Sequence, residues 1–118
     1  LIKAGCDVNQ ANKNGATPAH FAASSGQTAA LEILVKAGCD VNQTTKNGMT
    51  PAHFAAEHGE TETLELLVRA GCNLNQETNN GMTPAHLAAC YGQMVTLELL
   101  VKAPGCNLNQ ATSSGVSL

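Results

Sequence analysis

The stretch N-G-A-T-P-A-H at 14–20 returns as N-G-M-T-P-A-H at 47–53 and again at 80–86. Each step is 33 residues, and Gly115 follows Gly81 by 34. A period near 33 constrains the fold more than any single motif. A unit of that length cannot bury its own apolar face, so it must stack on copies of itself. The 118 residues divide into complete units at 12–44, 45–77 and 78–111, the third with a one-residue insertion near Pro104. Residues 1–11 read as the end of a preceding unit and 112–118 as the opening of a following one. The chain therefore reads as a segment of a longer array.

Local signals repeat with the same period. Asn14-Gly15, Asn47-Gly48 and Asn80-Gly81 suit tight turns that need positive φ. Thr17, Thr50 and Thr83 are placed as helix N-caps, and Pro18, Pro51 and Pro84 follow at the first helical position, where a missing N–H costs little. Alanine-rich segments follow and stop at Gly26, Gly59 and Gly92. A second helix is expected over roughly 28–37, 61–70 and 94–103. There Leu31, Leu34 and Val35 recur as Leu64, Leu67 and Val68, then as Leu97, Leu100 and Val101, one stripe of a helix. Lys36, Arg69 and Lys102 fall in the last turn, where the dipole favours a cation. Pro104 should end the third copy at Ala103, because a residue before proline is pushed out of the helical region.

Composition removes several classes of function. Six basic and nine acidic residues are scattered without a run of one sign, so no electrostatic footprint for nucleic acid or an anionic membrane exists. No apolar run approaches the length of a membrane span, and no basic-then-apolar leader is present. Five cysteines form an odd count: Cys6, Cys39, Cys72 and Cys106 keep the repeat period, while Cys90 is extra. That pattern suits a disulfide scaffold poorly and points to a reducing, intracellular compartment.

The pattern resembles the ankyrin repeat family. The match is carried by T-P-A-H at 17–20, 50–53 and 83–86, by the A-A and G that follow at 22–26, 55–59 and 88–92, and by L-V-K-A-G-C-D-V-N at 34–42 and L-V-R-A-G-C-N-L-N at 67–75. It covers nearly the whole chain. Alanine stands at Ala19, Ala52 and Ala85 where the family usually has leucine, and cysteine at Cys39, Cys72 and Cys106 where it usually has alanine. The resemblance implies an all-α repeat solenoid of stacked helix-turn-helix units with β-hairpin-like finger loops. It implies a concave surface for another protein or peptide and no enzymatic activity, with a spacer or scaffold role as the alternative. It also gives His20, His53 and His86 a hydrogen-bonding role that ties fingers to helices across repeats.

Three matching histidines raise the question of chemistry. Packed helices stand about 8–10 Å apart, whereas zinc holds nitrogens at about 2.0–2.1 Å. Equivalent histidines in adjacent layers are therefore poor common ligands, and no metal or cofactor is expected. The same spacing overshoots the Cα separation of about 4.4–6.8 Å that a disulfide needs. The periodic cysteines read instead as small buried apolar groups beyond the helix ends. Glu57 and His58 are adjacent, and neighbours on a helix point in different directions, so no acid–base pair emerges.

Specificity then belongs to positions that fail to repeat. The resemblance maps finger residues Lys13, Ala16, Lys46, Met49, Asn79 and Met82 onto the inner surface. It maps helix-end residues Ser24, Ser25, Glu57, His58, Cys90 and Tyr91 there too. Tyr91 is the candidate aromatic anchor. Met49 and Met82 read equally as contacts or as filler under the fingers. Some ankyrin repeats are also substrates of an asparaginyl hydroxylase, acting after an acidic and an aliphatic residue. Asn9 and Asn42 match as D-V-N, while Asn75 and Asn109 lack the acid. Read from the residues alone, these asparagines order their loops. Leu1, Ile2, Val116 and Leu118 look like interior pieces, which would allow self-association through the end repeats.

Overall fold

The computed structural model describes residues 7–103 and Cys106. Within them lie α1 (Pro18–Ser24), α2 (Thr28–Lys36), α3 (Pro51–Glu57), α4 (Thr61–Arg69), α5 (Pro84–Cys90) and α6 (Met94–Lys102). Helices α1, α3 and α5 pack side by side in one row, and α2, α4 and α6 form a second row behind them. The expected features at Cys6, Pro104, Asn109, 112–118 and most of the tail before Val8 lie outside the described residues.

Alanine sets the spacing of the inner row. Ala19, Ala22, Ala23, Ala52, Ala55, Ala56, Ala85 and Ala88 are all buried, so helices of only about two turns are held by packing rather than by their own hydrogen bonds. The outer row supplies bulk. Leu31, Leu64, Leu67 and Leu100 are completely buried, and each contributes about 1.5–3 kcal/mol relative to exposure. Ile33, by contrast, is exposed. Two hydroxyl pairs stitch the outer row: Thr28 to Thr63 at 2.9 Å and Thr61 to Thr96 at 2.7 Å.

The first two helix pairs end in the same way. In α2 the Gly38 N–H bonds the Val35 carbonyl and the Cys39 N–H bonds the Leu34 carbonyl, both at 3.0 Å. Gly38 has φ +87°, so this is a Schellman closure with cysteine as its apolar flank. Cys72 closes α4 identically, through the Leu67 carbonyl at 3.1 Å. In α6 the pattern changes: Ala103 takes ψ 136°, where Ala37 and Ala70 have ψ 0°. Proline as its successor in sequence accounts for the extended geometry.

The fingers correct one expectation. No β-strand or β-hairpin occurs among the described residues. Each finger is a turn: Gly15 N–H bonds the Asn12 carbonyl and Asn12 N–H bonds the Ala16 carbonyl, both at 2.9 Å. A ladder would need the reciprocal donor on Ala16, but that N–H is given to Asn12 Oδ1 at 3.0 Å. The next donor facing the other arm would be two residues on, where Pro18 has no N–H and begins the helix. The turn's own side chain and the helix-starting proline therefore remove the hydrogen bonds that would lengthen the arms into strands. Positive φ belongs to the glycines alone, not to the asparagines before them. Neighbouring fingers touch through Lys46 N–H to the Asn14 carbonyl at 3.0 Å and Asn79 N–H to the Asn47 carbonyl at 2.9 Å, the second contact reinforced by Asn79 Nδ2–H to the Lys46 carbonyl at 2.8 Å.

Candidate functional site

The histidines occupy helix starts. Thr50 N–H donates to His53 Nδ1 at 3.0 Å, and His53 N–H returns a bond to Thr50 Oγ1 at 3.4 Å. A backbone N–H can only donate, so Nδ1 is the acceptor and Nε2 carries the proton. That Nε2–H donates to the Met82 carbonyl at 2.9 Å, one layer on. His20 does the same toward the Met49 carbonyl at 3.0 Å, and its ring meets the Phe54 ring edge-on at 5.7 Å. His86 keeps the cap, with Thr83 N–H 3.1 Å from Nδ1. Its Nε2 is buried without a hydrogen-bond partner among the described residues.

Burial fixes the charge state. Desolvation holds the His53 pKa down at about 4 and also lowers that of His20, against the opposing pull of the carbonyls they bond. Neutral imidazoles with both nitrogens engaged are unsuited to proton transfer or metal ligation. Among the described residues no group of three His, Cys, Asp or Glu could hold a metal ion. Cys39, Cys72, Cys90 and Cys106 are free thiols. Burial pushes Cys72 up to about 11, while Cys90 is exposed. Asn9 and Asn42 spend their side-chain carbonyls on the next layer, accepting from Asp40 N–H at 2.8 Å and Asn73 N–H at 2.7 Å.

One recess brings fingers and inner helices together. It is open, about 920 Å³, and spans all three layers. Of the sequence candidates it contains Ala16, Lys46, Met49, Glu57, Asn79, Met82 and Tyr91. Lys13, Ser24, Ser25, His58 and Cys90 do not line it. Ser25 borders a separate apolar recess of about 680 Å³ with Phe21 and Ile33.

The recess also has a floor that sequence reasoning missed. Phe21, Phe54 and Leu87 lie in register, one per layer, and all three line it. Phe21 is 58% exposed, Phe54 half-buried and Leu87 buried. The signal was present: Phe54 and Glu57 are i, i+3, and Leu87 and Tyr91 are i, i+4, so each pair shares a helix face. The wall opposite carries Asn14, Asn47, Asn79 and Asn80. Lys46 and Glu57 are its charged members, so the recess is nearly neutral.

A family model described as ankyrin repeats, three copies, matches residues 1–78 and again 30–112. The chain belongs to the ankyrin repeat family. Ankyrin repeats are a non-enzymatic interaction and scaffold family, and the histidine caps that tie one layer to the next serve that architecture. A comparison with curated proteins finds no match. Among the described residues no helix of this ankyrin array is long and apolar enough to cross a membrane.

Proposed function

We propose that the array binds another protein through the recess between its fingers and inner helices, engaging a peptide or a segment of a folded partner on a preformed concave surface. One observation carries this reading. The repeated threonines, prolines, alanines and histidines are consumed in capping helices and packing layers, whereas Phe21, Phe54 and Leu87 form a continuous apolar floor left open between turns. Met49 and Met82 extend that floor, and Tyr91, 55% exposed, stands at its margin as an anchor. Free thiols at four positions support a reducing, intracellular compartment.

The test compares affinity capture by the wild-type chain and by a Phe21→Ala, Tyr91→Ala double variant with unchanged thermal stability. Partners held by the wild type and lost by the variant support the recess as the binding site. Partners held equally by both would make the array a spacer whose contacts lie elsewhere.

A further inference from the structure

The recess offers two parallel columns with the period of the stack. The apolar column is Phe21, Phe54 and Leu87. The polar column is Asn14, Asn47 and Asn80, one at each turn tip, all exposed. Their backbone atoms serve the turns, but their side-chain amides make no hydrogen bond within the described residues. A ligand matching both columns must present one apolar group and one free carbonyl per layer.

Layer spacing decides its conformation. Packed helices repeat at about 8–10 Å. A β-strand repeats a face every two residues, about 6.6–6.8 Å, and falls out of register within one layer. A polyproline II helix has three residues per turn and about 3.1 Å rise, so one face repeats every ~9.3 Å, with every carbonyl unpaired. An α-helix repeats a face over seven residues at about 10.5 Å, but its carbonyls are bonded internally.

We propose that the recess takes a nearly uncharged polyproline II segment running along the stack. An apolar residue at every third position meets Phe21, Phe54 and Leu87, and intervening carbonyls accept from Asn14, Asn47 and Asn80. The balance of Lys46 against Glu57 fits a ligand without strong charge. This rests on the recess being an interaction site and names the class of segment it accepts.

The experiment titrates the full chain into a labelled peptide of about twelve residues, about 37 Å long in this conformation, with leucine at every third position among prolines. An isomer of the same composition has its leucines alternating with prolines at one end. Fluorescence anisotropy should show the triplet peptide binding at least about tenfold more tightly. Asn47→Ala and Phe21→Ala, both at exposed positions, should each weaken it about three- to tenfold while leaving the thermal midpoint in place. Equal binding of the two isomers, no binding of the triplet peptide, or indifference to Asn47→Ala would overturn the proposal. A captured protein partner that still depends on Phe21 and Tyr91 would then leave the interaction reading standing and remove only this ligand class.

Discussion

His53 Nε2 lies 2.9 Å from the Met82 carbonyl oxygen, so a side chain that starts one helix also holds the turn of the next layer. The two residues are 29 apart in sequence, as are His20 and Met49, which make the same bond at 3.0 Å. Local capping and interlayer attachment are therefore one interaction, and disturbing it should separate layers rather than merely fray a helix.

Replacing His53 with leucine keeps volume but strands the Thr50 N–H and the Met82 carbonyl. An unsatisfied buried group costs about 1–3 kcal/mol, so His53→Leu should destabilise the array by about 2–4 kcal/mol. Urea unfolding at neutral pH measures this. A loss below about 1 kcal/mol would mean that the bond is incidental.

Acid should act through the same residue. The folded-state pKa of His53 is about 4, below its ordinary 6.5. Its contribution is thus complete above pH 6.5 and is lost as pH falls toward 4, because the unfolded chain binds the proton more readily. The loss by pH 4 amounts to about 3 kcal/mol from this group. Denaturant melts across that window should show stability falling, and His53→Leu should flatten the slope.

Two glycines with the same φ should respond differently to alanine. Gly48 has φ +82°, and an added Cβ would lie 2.9 Å from the backbone nitrogen of Asn79 in the adjoining finger. Gly71 has φ +86° and open space around it. Gly71→Ala should show the conformational penalty alone, about 1 kcal/mol, and Gly48→Ala about 2–3 kcal/mol because fingers must also separate. Equal effects would show that finger contact contributes nothing.

Tyr91 is 55% exposed and lines the recess. Tyr91→Ala should change stability by less than about 0.5 kcal/mol, yet weaken a recess-bound partner by about 1–2 kcal/mol. Calorimetric titration against an identified partner distinguishes these, and unchanged affinity would remove Tyr91 from the site.

Thiol chemistry should rank by burial. Cys90 is exposed, while the Cys72 thiol is pushed up to about 11 by desolvation. Since the thiolate is the reactive form, iodoacetamide near pH 8 should modify Cys90 first and Cys72 last. Peptide mass mapping over time gives the order, and early loss of Cys72 would contradict its packing beneath α4.

The repeat period was legible because it is written in punctuation. Thr17, Pro18 and Gly26 bound α1 by rules that act within a few residues, and their copies bound α3 and α5. The fingers were less legible. Asn14-Gly15 signals a hairpin, but the Ala16 N–H is claimed by the Asn12 side chain and Pro18 removes the next donor, so the arms stop at one backbone bond. The recess floor was partly hidden as well. Phe21 and Phe54 look like core residues by type, and only the buried alanines at 19, 22 and 23 turn Phe21 outward.

By itself the sequence determined the family, the layer count of the central array and the register of each helix. Those depend on short-range preferences repeated at a fixed step, and repetition makes weak local signals add. Tertiary structure alone decided which repeated letters became wall, floor or tie. Whether Phe54 fills a core or lines a recess depends on how closely alanine lets α1 approach α3, and whether a histidine proton is held depends on a carbonyl 29 residues away. Such facts arise from distances between layers, which no single unit contains.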